Sequence, residues 1–372
     1  MAKRILITGG AGFIGSHVAD EALEHGYEVR AFDNLSRQVH GPDAERPFYL
    51  NPHVELIKGD VRDKESLSKA LKNVDAVFHF AALVGVGQSM YQFEEYTAVN
   101  NVGTANLIES LIANPVEKLV VASSMSVYGE GMYYDVDGAP YMQCEREIDD
   151  LKAGKWEVFD RMGRPLSPAA TGEKKTPCLS SVYALSKYDQ ERMCMMAGRA
   201  YNIPTAALRF FNVYGSRQAL SNPYTGVLAI FASRLLNNRP PLIFEDGNQL
   251  RDFVSVKDVA YACLLALQKP EANGNVFNIG SGQRHSVREI AEKLAAAMNK
   301  PEIEPEITNK YRMGDIRHCF ADISKAKTAL GFEPRISFEE GLSGLSSWLE
   351  GQIAVDKALE ASEELASRGL TV

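Results

Sequence analysis

The stretch ILITGGAGFIGS, residues 5–16, decides the fold of this chain. Three apolar residues followed by a glycine cluster predict a short buried strand that turns into a helix over about residues 13–25. Gly9 permits a tight turn, Gly12 lets a pyrophosphate approach the backbone, and Gly15 lets the helix pack closely against the strand. The N-terminus of such a helix offers unpaired N–H groups to phosphate oxygens.

An acidic residue at the end of the next predicted strand completes this pattern. The strand covers residues 28–33, and Asp33 lies 18 residues after Gly15. A carboxylate at that position accepts hydrogen bonds from the hydroxyls of an adenosine ribose, whereas it would repel a 2′-phosphate. The glycines and the acid together predict a dinucleotide site that binds NAD rather than NADP.

Composition and charge limit the classes of function. The chain has 372 residues, 45% of them apolar, which is enough for one large two-lobed unit or two domains. A net charge of −8 gives no overall field that attracts nucleic acid or anionic lipid, so neither is expected as a partner. Residues 76–84, among the longest apolar stretches, are too short to span a bilayer, and residues 3–8 do not read as a signal peptide.

The cysteines indicate the compartment. They are odd in number, are scattered, and have no CxxC spacing, which favours unpaired thiols in a cytoplasmic protein. The five residues are Cys144, Cys178, Cys194, Cys263 and Cys319.

Strand and helix patterns alternate through the first half of the chain, including a helical stretch over about residues 88–113. This alternation predicts an α/β fold with a doubly wound parallel Rossmann sheet and a smaller C-terminal α/β substrate lobe. We expect an NAD-binding domain over residues 1–205 and a lobe that mostly binds substrate over residues 206–351. A tail over residues 352–372 is expected to form an exposed helix.

The alternation breaks over about residues 130–180, where glycine, proline and acidic residues cluster with little periodicity. The favoured interpretation of this segment is an irregular, solvated surface excursion. The alternative is a lid or an oligomer contact, because long irregular loops inside compact domains are often functional.

The candidate chemistry lies in YALSK, residues 183–187, within a predicted helix over residues 182–201. Tyr183 and Lys187 are four residues apart and therefore share one helix face. A cation about 4 Å from the phenol contributes roughly 4 kcal/mol at an effective dielectric near 20, or about three pKa units. This would bring the pKa of Tyr183 close to neutrality. The alternative is an ordinary amphipathic helix pair.

Ser124 ends another predicted strand of the same sheet, so it reaches the same edge. Its hydroxyl is suited to relay or orient the proton that Tyr183 removes from a substrate alcohol. The two strand-end serines, the glycine turn and the YxxxK pair favour the functional interpretation over the amphipathic one.

These motifs resemble those of the extended short-chain dehydrogenase/reductase family of NAD-dependent nucleotide-sugar epimerases and dehydratases. The resemblance extends over residues 3–351. The matching motifs are TGGAGFIGS at 8–16, DNLS at 33–36, GDVRD at 59–63, HFAAL at 79–83, NNVGT at 100–104, SSMSVYG at 123–129, YALSK at 183–187, RFFNVYG at 209–215, RDFVSVKDVA at 251–260 and YRMGDIRH at 311–318.

The resemblance implies a nucleotide sugar as substrate and NAD as a tightly held cofactor. The catalytic residues are then Tyr183, Lys187 and Ser124. The expected cofactor-binding residues are Gly9, Gly12, Phe13, Ile14, Gly15, Asp33, Asn34, Asp60, Val61, Phe80, Ala81, Ala82, Asn100, Ser123, Tyr183, Lys187 and Phe210. Within this set the resemblance puts Asp60 and Val61 on the adenine, and Ala81 and Lys187 beside the nicotinamide ribose.

The expected substrate-binding residues are Val84, Ser124, Met125, Ser126, Tyr183, Asn212, Val227, Arg251, Arg312 and Asp315. By the resemblance, Asn212, Arg251 and Arg312 hold the diphosphate and the nucleoside. A surface ion pair with Asp252 or Asp315 is the alternative role of the two arginines.

The residues at positions 125 and 126 distinguish between the reactions that members of the family catalyse. Its 4,6-dehydratases resemble this chain but carry an Asp-Glu pair where Met125 and Ser126 stand, and neither of these eliminates water at neutral pH. A 3,5-epimerase would need a cysteine near Met125. The remaining outcome is 4-epimerisation by transient oxidation at C4, rotation of the keto sugar, and return of hydride to its other face.

The substrate is predicted from an apolar patch. Family members that act on UDP-galactose usually carry a lysine where this chain has Val84. Val84, Val86 and Met125 suit a methyl group at C6, with core packing as the alternative for the two valines. The motifs GVGQSM at 85–90, SSMSVYGEG at 123–131, SNPYTGV at 221–227 and GDIRHCFADIS at 314–324 resemble those of 4-epimerases acting on dTDP-L-rhamnose.

Two other functions stay open at this point. One is a UDP-hexose or UDP-hexuronate 4-epimerase. The other is a non-catalytic NAD-sensing scaffold, although such a protein would be expected to lose Tyr183 or Lys187.

Three further expectations come from the resemblance. Some relatives resemble a zinc ribbon after the VYG motif, whereas WEVFDRMG at 156–163 offers no ligand pairs, so no metal is expected. Cys319 either widens the sugar pocket or is a buried, inert thiol. A homodimer is implied, formed through the helices near residues 91–112 and 183–200.

Overall fold

The computed structural model describes residues 2–41, 44–142 and 145–371. The strands of these residues, in chain order, are β1 (Arg4–Thr8), β2 (Glu28–Asp33), β3 (Glu55–Lys58), β4 (Ala76–His79), β5 (Lys118–Ser124), β6 (Met132–Tyr134), β7 (Pro140–Tyr141), β8 (Ser167–Ala169), β9 (Thr205–Phe210), β10 (Asn212–Tyr214), β11 (Leu242–Ile243), β12 (Leu250–Arg251), β13 (Phe253–Ser255), β14 (Asn275–Ile279), β15 (His285–Ser286), β16 (Glu306–Ile307) and β17 (His318–Cys319).

The α-helices, in the same order, are α1 (Phe13–Glu24), α2 (Arg37–His40), α3 (Lys64–Ala70), α4 (Val86–Ser89), α5 (Phe93–Tyr96), α6 (Gly103–Ala113), α7 (Ile148–Lys152), α8 (Val182–Tyr201), α9 (Val227–Leu236), α10 (Val256–Gln268), α11 (Val287–Ala297), α12 (Ser324–Leu330), α13 (Phe338–Leu349) and α14 (Ala358–Ser367). The predicted helix over 182–201 is confirmed as α8.

A seven-stranded parallel sheet forms the centre of the molecule. Its order is β14-β9-β5-β4-β1-β2-β3, with every neighbouring pair parallel. The strand order reverses between β1 and β4, which is where doubly wound sheets place their ligands, at the carboxyl ends of the strands. The predicted Rossmann sheet is confirmed.

Helices cover both faces of this sheet, which explains why its strands are almost continuously apolar. Helices α1 and α10 pack together, and α3, α6 and α8 form the other layer. Ile5 and Ile7 of β1 belong to the core beneath α1 and α10, whereas Leu6 belongs to the core beneath α3 and α6. The alternation along one strand therefore builds both cores.

The expected domain boundary at residue 206 stays a prediction, and the residues after it are shared between the central sheet and a smaller lobe. Strands β9 and β14 both pair within the central sheet, and α10 covers it. The lobe that is expected to bind substrate, called the substrate lobe below, has a smaller core built mainly from α9, α11 and α13. Its segments alternate along the chain with segments of the NAD-binding half.

The helical stretch expected over about residues 88–113 is confirmed from Phe93 to Ala113, where α5, a π-helical turn at Thr97–Val102 and α6 follow one another without a break. The start of the stretch differs, because α4 ends at Ser89 and is separate from α5. Gln92 takes non-helical backbone angles (φ −114°, ψ 51°) and so interrupts the run.

The segment over residues 130–180 is folded, which corrects the expectation of an irregular, solvated excursion. Strands β6, β7 and β8 form an antiparallel sheet, and α7 follows β7. Arg146 pairs with Glu130 at 3.0 Å and with Glu245 of the substrate lobe at 2.6 Å. These three side chains are buried, so the segment is anchored to the lobe through ion pairs.

The tail also differs from its prediction. Helix α14 buries Ala361 and Leu365, so it is not an exposed helix on that side.

Among the cysteines, Cys178, Cys194, Cys263 and Cys319 are free thiols, whereas Cys144 lies outside the described residues. No α-helix in the part of the chain that the structure describes has the length and apolar character needed to cross a membrane.

Candidate active site at the carboxyl edge of the sheet

The glycine turn has the geometry that its sequence predicts. Gly9 has a φ of +71°, which favours glycine. A Cβ on Gly15 would lie 2.2 Å from the Gly9 carbonyl oxygen, so helix and strand pack too closely for any side chain there. A Cβ on Gly12 would meet only that same oxygen within 4 Å. A phosphate group can therefore approach the backbone closely at Gly12, where α1 begins, although the Gly12 N–H itself donates to the Gly9 carbonyl at 3.2 Å.

Asp33 lies at the end of β2 with its carboxylate already oriented. Its two oxygens accept hydrogen bonds from the backbone N–H groups of Ala11 at 3.0 Å and Leu35 at 2.9 Å. Each oxygen keeps a further lone pair for a ribose hydroxyl. Tyr49, which sequence reasoning missed, donates to the Ala11 carbonyl at 2.9 Å, and burial raises the pKa of Tyr49 to about 12.

The expected adenine residues lie on the neighbouring strand end. Asn34 donates to Asp60 at 3.0 Å, and the Arg62 guanidinium donates to the same carboxylate at 2.8 Å. The hydrogen bond from Arg62 lowers the pKa of Asp60 to about 2, so this carboxylate is charged at neutral pH. Val61 is buried against Gly103, where an added Cβ would lie 2.5 Å from the valine.

Asn100 holds the loop that follows β4. Its side-chain oxygen accepts from the Leu83 N–H at 2.8 Å, and its amide donates to the Leu83 carbonyl at 3.1 Å. The N–H groups of Phe80 and Ala81 bind the Thr8 hydroxyl, each at 3.2 Å. The fully buried Asn100 side chain thus positions the loop and is itself satisfied by protein groups.

Tyr96 fixes the rest of this loop, a role that sequence reasoning missed. Its hydroxyl donates to the carbonyls of Val84 at 2.8 Å and Gly85 at 3.0 Å. This hydroxyl therefore holds the backbone of Val84 and Gly85 in place. The aromatic ring of Tyr96 is fully buried, and a local sequence pattern gives no signal for such an anchor.

Helix α8 brings Tyr183 to the end of β5. Ser181 caps the helix, its hydroxyl accepting from the Ala184 N–H at 3.1 Å, and this puts Tyr183 in the first turn. Ser124 is the last residue of β5 and pairs in register with Phe210 of β9. Burial raises the pKa of Tyr183, and a hydrogen bond with the Ser124 hydroxyl lowers it. The two predicted catalytic hydroxyls thus lie together.

Lys187 does not act on Tyr183 as the sequence suggested. Its ammonium donates a 2.6 Å hydrogen bond to the Gln190 side chain, and burial lowers the pKa of Lys187 to about 8. The pKa of Tyr183 is raised, so the expectation of a phenol brought close to neutrality by Lys187 is wrong for this arrangement. The i, i+4 spacing puts both residues on one face but does not fix where the long lysine side chain ends.

A buried network continues from Gln190 to the glycine-rich strand. Gln190 donates to the Thr104 hydroxyl at 2.8 Å, and His79 binds Thr104 and Thr8, each at 2.8 Å. Burial lowers the pKa of His79 to about 3, so its ring is neutral and can bridge two hydroxyls. Sequence reasoning found His79 only as part of a family motif and gave it no role.

The side chain of Ser123 points into the protein. Its hydroxyl donates to Glu191 at 2.7 Å, and Glu191 forms a buried ion pair with Arg209, also at 2.7 Å. The structure therefore does not bring this hydroxyl to the edge where Ser124 and Tyr183 meet. A cofactor contact at Ser123 would involve its backbone.

One cavity of about 380 Å³ lies where the substrate is expected to bind. All the expected substrate-binding residues line it, and their roles stay predictions: Val84, Ser124, Met125, Ser126, Tyr183, Asn212, Val227, Arg251, Arg312 and Asp315. Phe210, expected at the cofactor, lines it too. Sequence reasoning missed other lining residues, including Tyr224, Phe244 and Gln249.

Another cavity, of about 520 Å³, lies at the other end of β9. Thr205, the first residue of that strand, lines it together with Arg192 and Arg199 of α8. The ligand site of a doubly wound sheet lies at the carboxyl ends of its strands, so this cavity is on the wrong edge for the predicted chemistry.

Two buried acceptors in the substrate cavity lack a hydrogen-bond partner. They are the side-chain oxygens of Asn212 and Gln249. The amide nitrogen of Gln249 donates to the Phe244 carbonyl at 2.7 Å, which orients the remaining oxygen. Buried acceptors are almost always satisfied, so these two oxygens are suited to donors on a ligand.

Arg251 does not pair with Asp252, which was one alternative for it. Its guanidinium donates to the backbone carbonyls of Leu250 and Arg317, both at 2.9 Å. Asp252 is fully buried and accepts from the Ser281 N–H at 2.7 Å. The charge of Arg251 is thus not neutralised by its neighbour, which suits an anionic ligand.

Arg312 does pair with Asp315, at 3.0 Å, and also lies 4.5 Å over the Phe244 ring. Both members of this pair line the cavity. The ion-pair alternative is therefore present at the cavity wall, where it also holds the arginine in place.

The apolar side of the cavity bears on two alternatives that the sequence left open, the roles of the valines and of Cys319. Val84 is 45% exposed and lines the cavity, so it is not a core residue. Val86 and Met125 line it as well. Cys319 is fully buried and absent from the lining, and burial raises its pKa to about 12, which supports an inert thiol. The described residues contain no group of three or more His, Cys, Asp or Glu arranged to hold a metal.

The sequence of the chain matches a known family over most of its length. The model of the NAD dependent epimerase/dehydratase family matches residues 5–145 and 157–280. A dTDP-L-rhamnose 4-epimerase of Burkholderia thailandensis is 35% identical over 356 residues, which cover 94% of this chain and 96% of that protein.

Solved structures are similar over almost the whole chain. The UDP-glucose 4-epimerase of Thermotoga maritima with UDP-glucose is 31% identical, with a TM-score of 0.75 and coverage of 94% of this chain and 99% of that one. The UDP-glucuronic acid 4-epimerase of Bacillus cereus, in complex with UDP-glucuronic acid and NAD, is 27% identical, with a TM-score of 0.76 and the same coverage.

Proposed function

The chain belongs to the NAD-dependent epimerase/dehydratase family, and we propose that it inverts C4 of a dTDP-6-deoxyhexose, with dTDP-L-rhamnose as its substrate. It is an NAD-dependent nucleotide-sugar epimerase, which overturns the alternative of a non-catalytic scaffold. We propose the identity of the sugar, the nucleobase and the roles of the residues from the geometry of the site.

The observation that carries the proposal is the shared cavity. Ser124 and Tyr183 line the same cavity as Asn212 and Arg251. The hydroxyls of Ser124 and Tyr183 are suited to proton transfer. The same cavity holds the side-chain oxygen of Asn212, which has no hydrogen-bond partner, and the guanidinium of Arg251, which has no carboxylate partner among the described residues. Its volume suits a small organic ligand. An anionic nucleotide sugar fits this combination.

The residues that we assign to NAD are those of the glycine turn and Asp33. The backbone of Gly12, Phe13 and Ile14 binds the pyrophosphate, and Asp33 binds the adenosine ribose. Lys187 is assigned to the nicotinamide ribose. NAD, when bound, supplies a hydride acceptor for C4 and a positive charge beside the phenol.

Tyr183 is the proposed base. It takes the proton of the C4 hydroxyl as the hydrogen on C4 leaves, and it returns a proton when that hydrogen comes back. Its raised pKa makes this costly, and two features reduce the cost. The Ser124 hydroxyl lowers the pKa of the phenol, and the N-terminus of α8 carries a positive partial charge.

The keto sugar then turns in the cavity before the hydrogen returns to its other face. Met125 and Ser126 stand at the wall and offer no carboxylate for water elimination, so the intermediate goes on to C4 inversion. Val84 and Met125 form an apolar surface that suits a methyl group at C6.

A UDP-hexose or UDP-hexuronate 4-epimerase is the second candidate. The similarity to the Thermotoga maritima and Bacillus cereus structures favours it. The apolar character of Val84 and Met125 favours the 6-deoxy sugar, because a hydroxymethyl or carboxylate group at C6 would lose hydrogen bonds to water there.

The test is a product assay on the NAD-loaded protein. Parallel reactions contain dTDP-L-rhamnose, UDP-glucose or UDP-glucuronate, and the products are separated and identified by NMR. We expect the dTDP-L-talose isomer from the first reaction. Turnover of UDP-glucose without conversion of dTDP-L-rhamnose would overturn the substrate claim and keep C4 inversion.

We also propose a homodimer through α5, α6 and α8. Leu185 and Met196 are exposed, and their separation of eleven residues, about three helical turns, puts them on one side of α8. Phe93 of α5, which contacts α8, is exposed too. Exposed apolar side chains on adjoining helices are typical of a protein interface.

A further inference from the structure

The C-terminal helix lines the same cavity as the candidate acid/base. Ala361 and Leu365 of α14 line the cavity that Ser124 and Tyr183 also line. They are buried, with exposed fractions of 8% and 3%. The helix therefore contributes an apolar surface to the substrate side of the site, although it lies beyond the last residue matched by the family model.

Leu365 packs against α4, the short helix that follows Val84 on the apolar side of the cavity. A Cβ on Gly87 would lie 3.1 Å from a terminal methyl of Leu365, so the two residues are in close contact. Gly87 is three residues after Val84, which lines the cavity as well. The glycine lets α14 approach α4 closely, and Leu365 and Val84 both line the cavity on this side.

Glu364 fixes the helix to both halves of the molecule. Its carboxylate accepts hydrogen bonds from the hydroxyls of Tyr91 and Tyr224, each at 3.1 Å, and these hydroxyls lie 2.7 Å apart. Tyr91 belongs to the NAD-binding half and Tyr224 to the substrate lobe. Arg368 pairs with Glu364 at 3.1 Å and lies 4.2 Å over the Tyr91 ring.

The residues after α14 continue this attachment. The Met313 N–H donates to the Leu370 carbonyl at 2.9 Å, and Arg312 and Thr371 form a β-bridge. Arg312 is one of the residues assigned to the nucleotide end of the ligand. The tail therefore reaches along the cavity from the loop at Gly87 to the arginine.

We propose that α14 is a specificity element, in which Leu365 and Ala361 limit the substituent at C6 that the cavity accepts. This rests on the proposed function, since it assumes a nucleotide sugar in the cavity. An apolar wall formed by Leu365 with Val84 favours a methyl group over a hydroxymethyl group, because a buried hydroxyl without a partner loses its hydrogen bonds to water.

The test measures binding, which does not depend on turnover. Calorimetry on the NAD-loaded protein gives dissociation constants for two dTDP-hexoses that differ only in a methyl or a hydroxymethyl group at C6. We expect tighter binding of the methyl sugar, and Leu365→Ala is expected to reduce this preference by about 10-fold, the scale of one pocket methylene or more. Leu359→Ala, on an exposed side chain of the same helix, is the matched control and should keep the preference.

A second variant guards against a simple loss of folding. Ala361→Leu adds bulk to the same wall and is expected to weaken binding of the larger sugar more than that of the smaller one. An unchanged preference in folded, NAD-loaded Leu365→Ala and Ala361→Leu would overturn the role of α14, as would a wild-type protein without any preference. Binding with the expected preference but without turnover of either sugar would overturn the proposed function and leave the role of α14 standing.

Discussion

The Lys187 ammonium donates a 2.6 Å hydrogen bond to the Gln190 side-chain oxygen, one turn further along α8. Both residues are buried, so the partner of this charge is a neutral amide in a poorly solvated site. The amide nitrogen of Gln190 in turn donates to Thr104 at 2.8 Å. The lysine is thus positioned by a network that ends at the glycine-rich strand, through His79 and Thr8.

Gln190→Met tests this positioning. The variant removes the acceptor of a buried ammonium and leaves it unpaired, which is expected to lower the free energy of unfolding by about 1–3 kcal/mol. Because Lys187 is assigned to the cofactor, the variant should also retain less NAD after gel filtration. Urea denaturation and the NAD-to-protein ratio measure both effects. Gln268→Met, at an exposed helix end, is the control, and equal values for the two variants would contradict the network.

Tyr183→Phe tests the assignment of the base. Only the phenolic hydroxyl is removed, so we expect a loss of turnover of about 10²–10⁴-fold, the usual contribution of a positioned acid or base. Bound NAD should stay at the wild-type ratio. Tyr201→Phe, an exposed residue at the end of the same helix, is the matched control. Substantial residual turnover in Tyr183→Phe would mean that another group moves the proton.

The buried carboxyl group of Asp252 is expected to make the free energy of unfolding depend on pH. Burial raises its pKa to about 6 from a usual value of 3.8, so between these pH values the folded state holds more protons than the unfolded chain. The contribution of this group to the free energy of unfolding therefore falls as the pH rises from 4 to 6. At 1.36 kcal/mol per pKa unit the full change is about 3 kcal/mol.

The measurement compares the wild-type protein with Asp252→Asn by urea denaturation at several pH values from 4 to 7. The variant cannot ionise at this position. The stability difference, wild type minus variant, is expected to fall with rising pH over this range. A difference that does not change with pH would show that the buried carboxyl keeps its ordinary pKa.

Leu185→Glu tests the proposed dimer. A carboxylate at this exposed apolar position of α8 would be desolvated in an interface between two copies, so the variant should be monomeric. Native mass spectrometry distinguishes the two states directly. Val136→Glu, on an exposed valine far from α8 in the chain, is the control and should keep the wild-type mass. A monomeric wild-type protein would contradict the proposal.

Local patterns predicted the parts of the molecule that depend on nearby residues. The glycine turn, Asp33 at the end of β2 and the extent of α8 all follow from spacings within one strand-turn-helix unit. The cavity lining also agrees with the sequence-based expectations, because the carboxyl ends of parallel strands meet at one edge.

The parts that were missed depend on distant residues. Glu364 binds Tyr91, 273 positions earlier in the chain, and Glu130 binds the backbone of Arg317, 187 positions away. A single sequence carries no signal for such pairs. For this reason both α14 and the segment over 130–180 were predicted to be exposed. The contact of Lys187 with Gln190 was missed for another reason, since helix spacing fixes the face of a residue but not the rotamer of a long side chain.

We propose that C4 is inverted through transient oxidation and that the enzyme holds the hydrogen removed from C4 until it returns. The most direct test is to incubate the NAD-loaded protein with dTDP-L-rhamnose carrying deuterium at C4, in ordinary water, and to examine the product by NMR and mass spectrometry. We expect a sugar that is inverted at C4 and keeps its deuterium there. A product whose C4 carries solvent hydrogen, or a sugar whose C4 configuration is unchanged, would contradict this proposal.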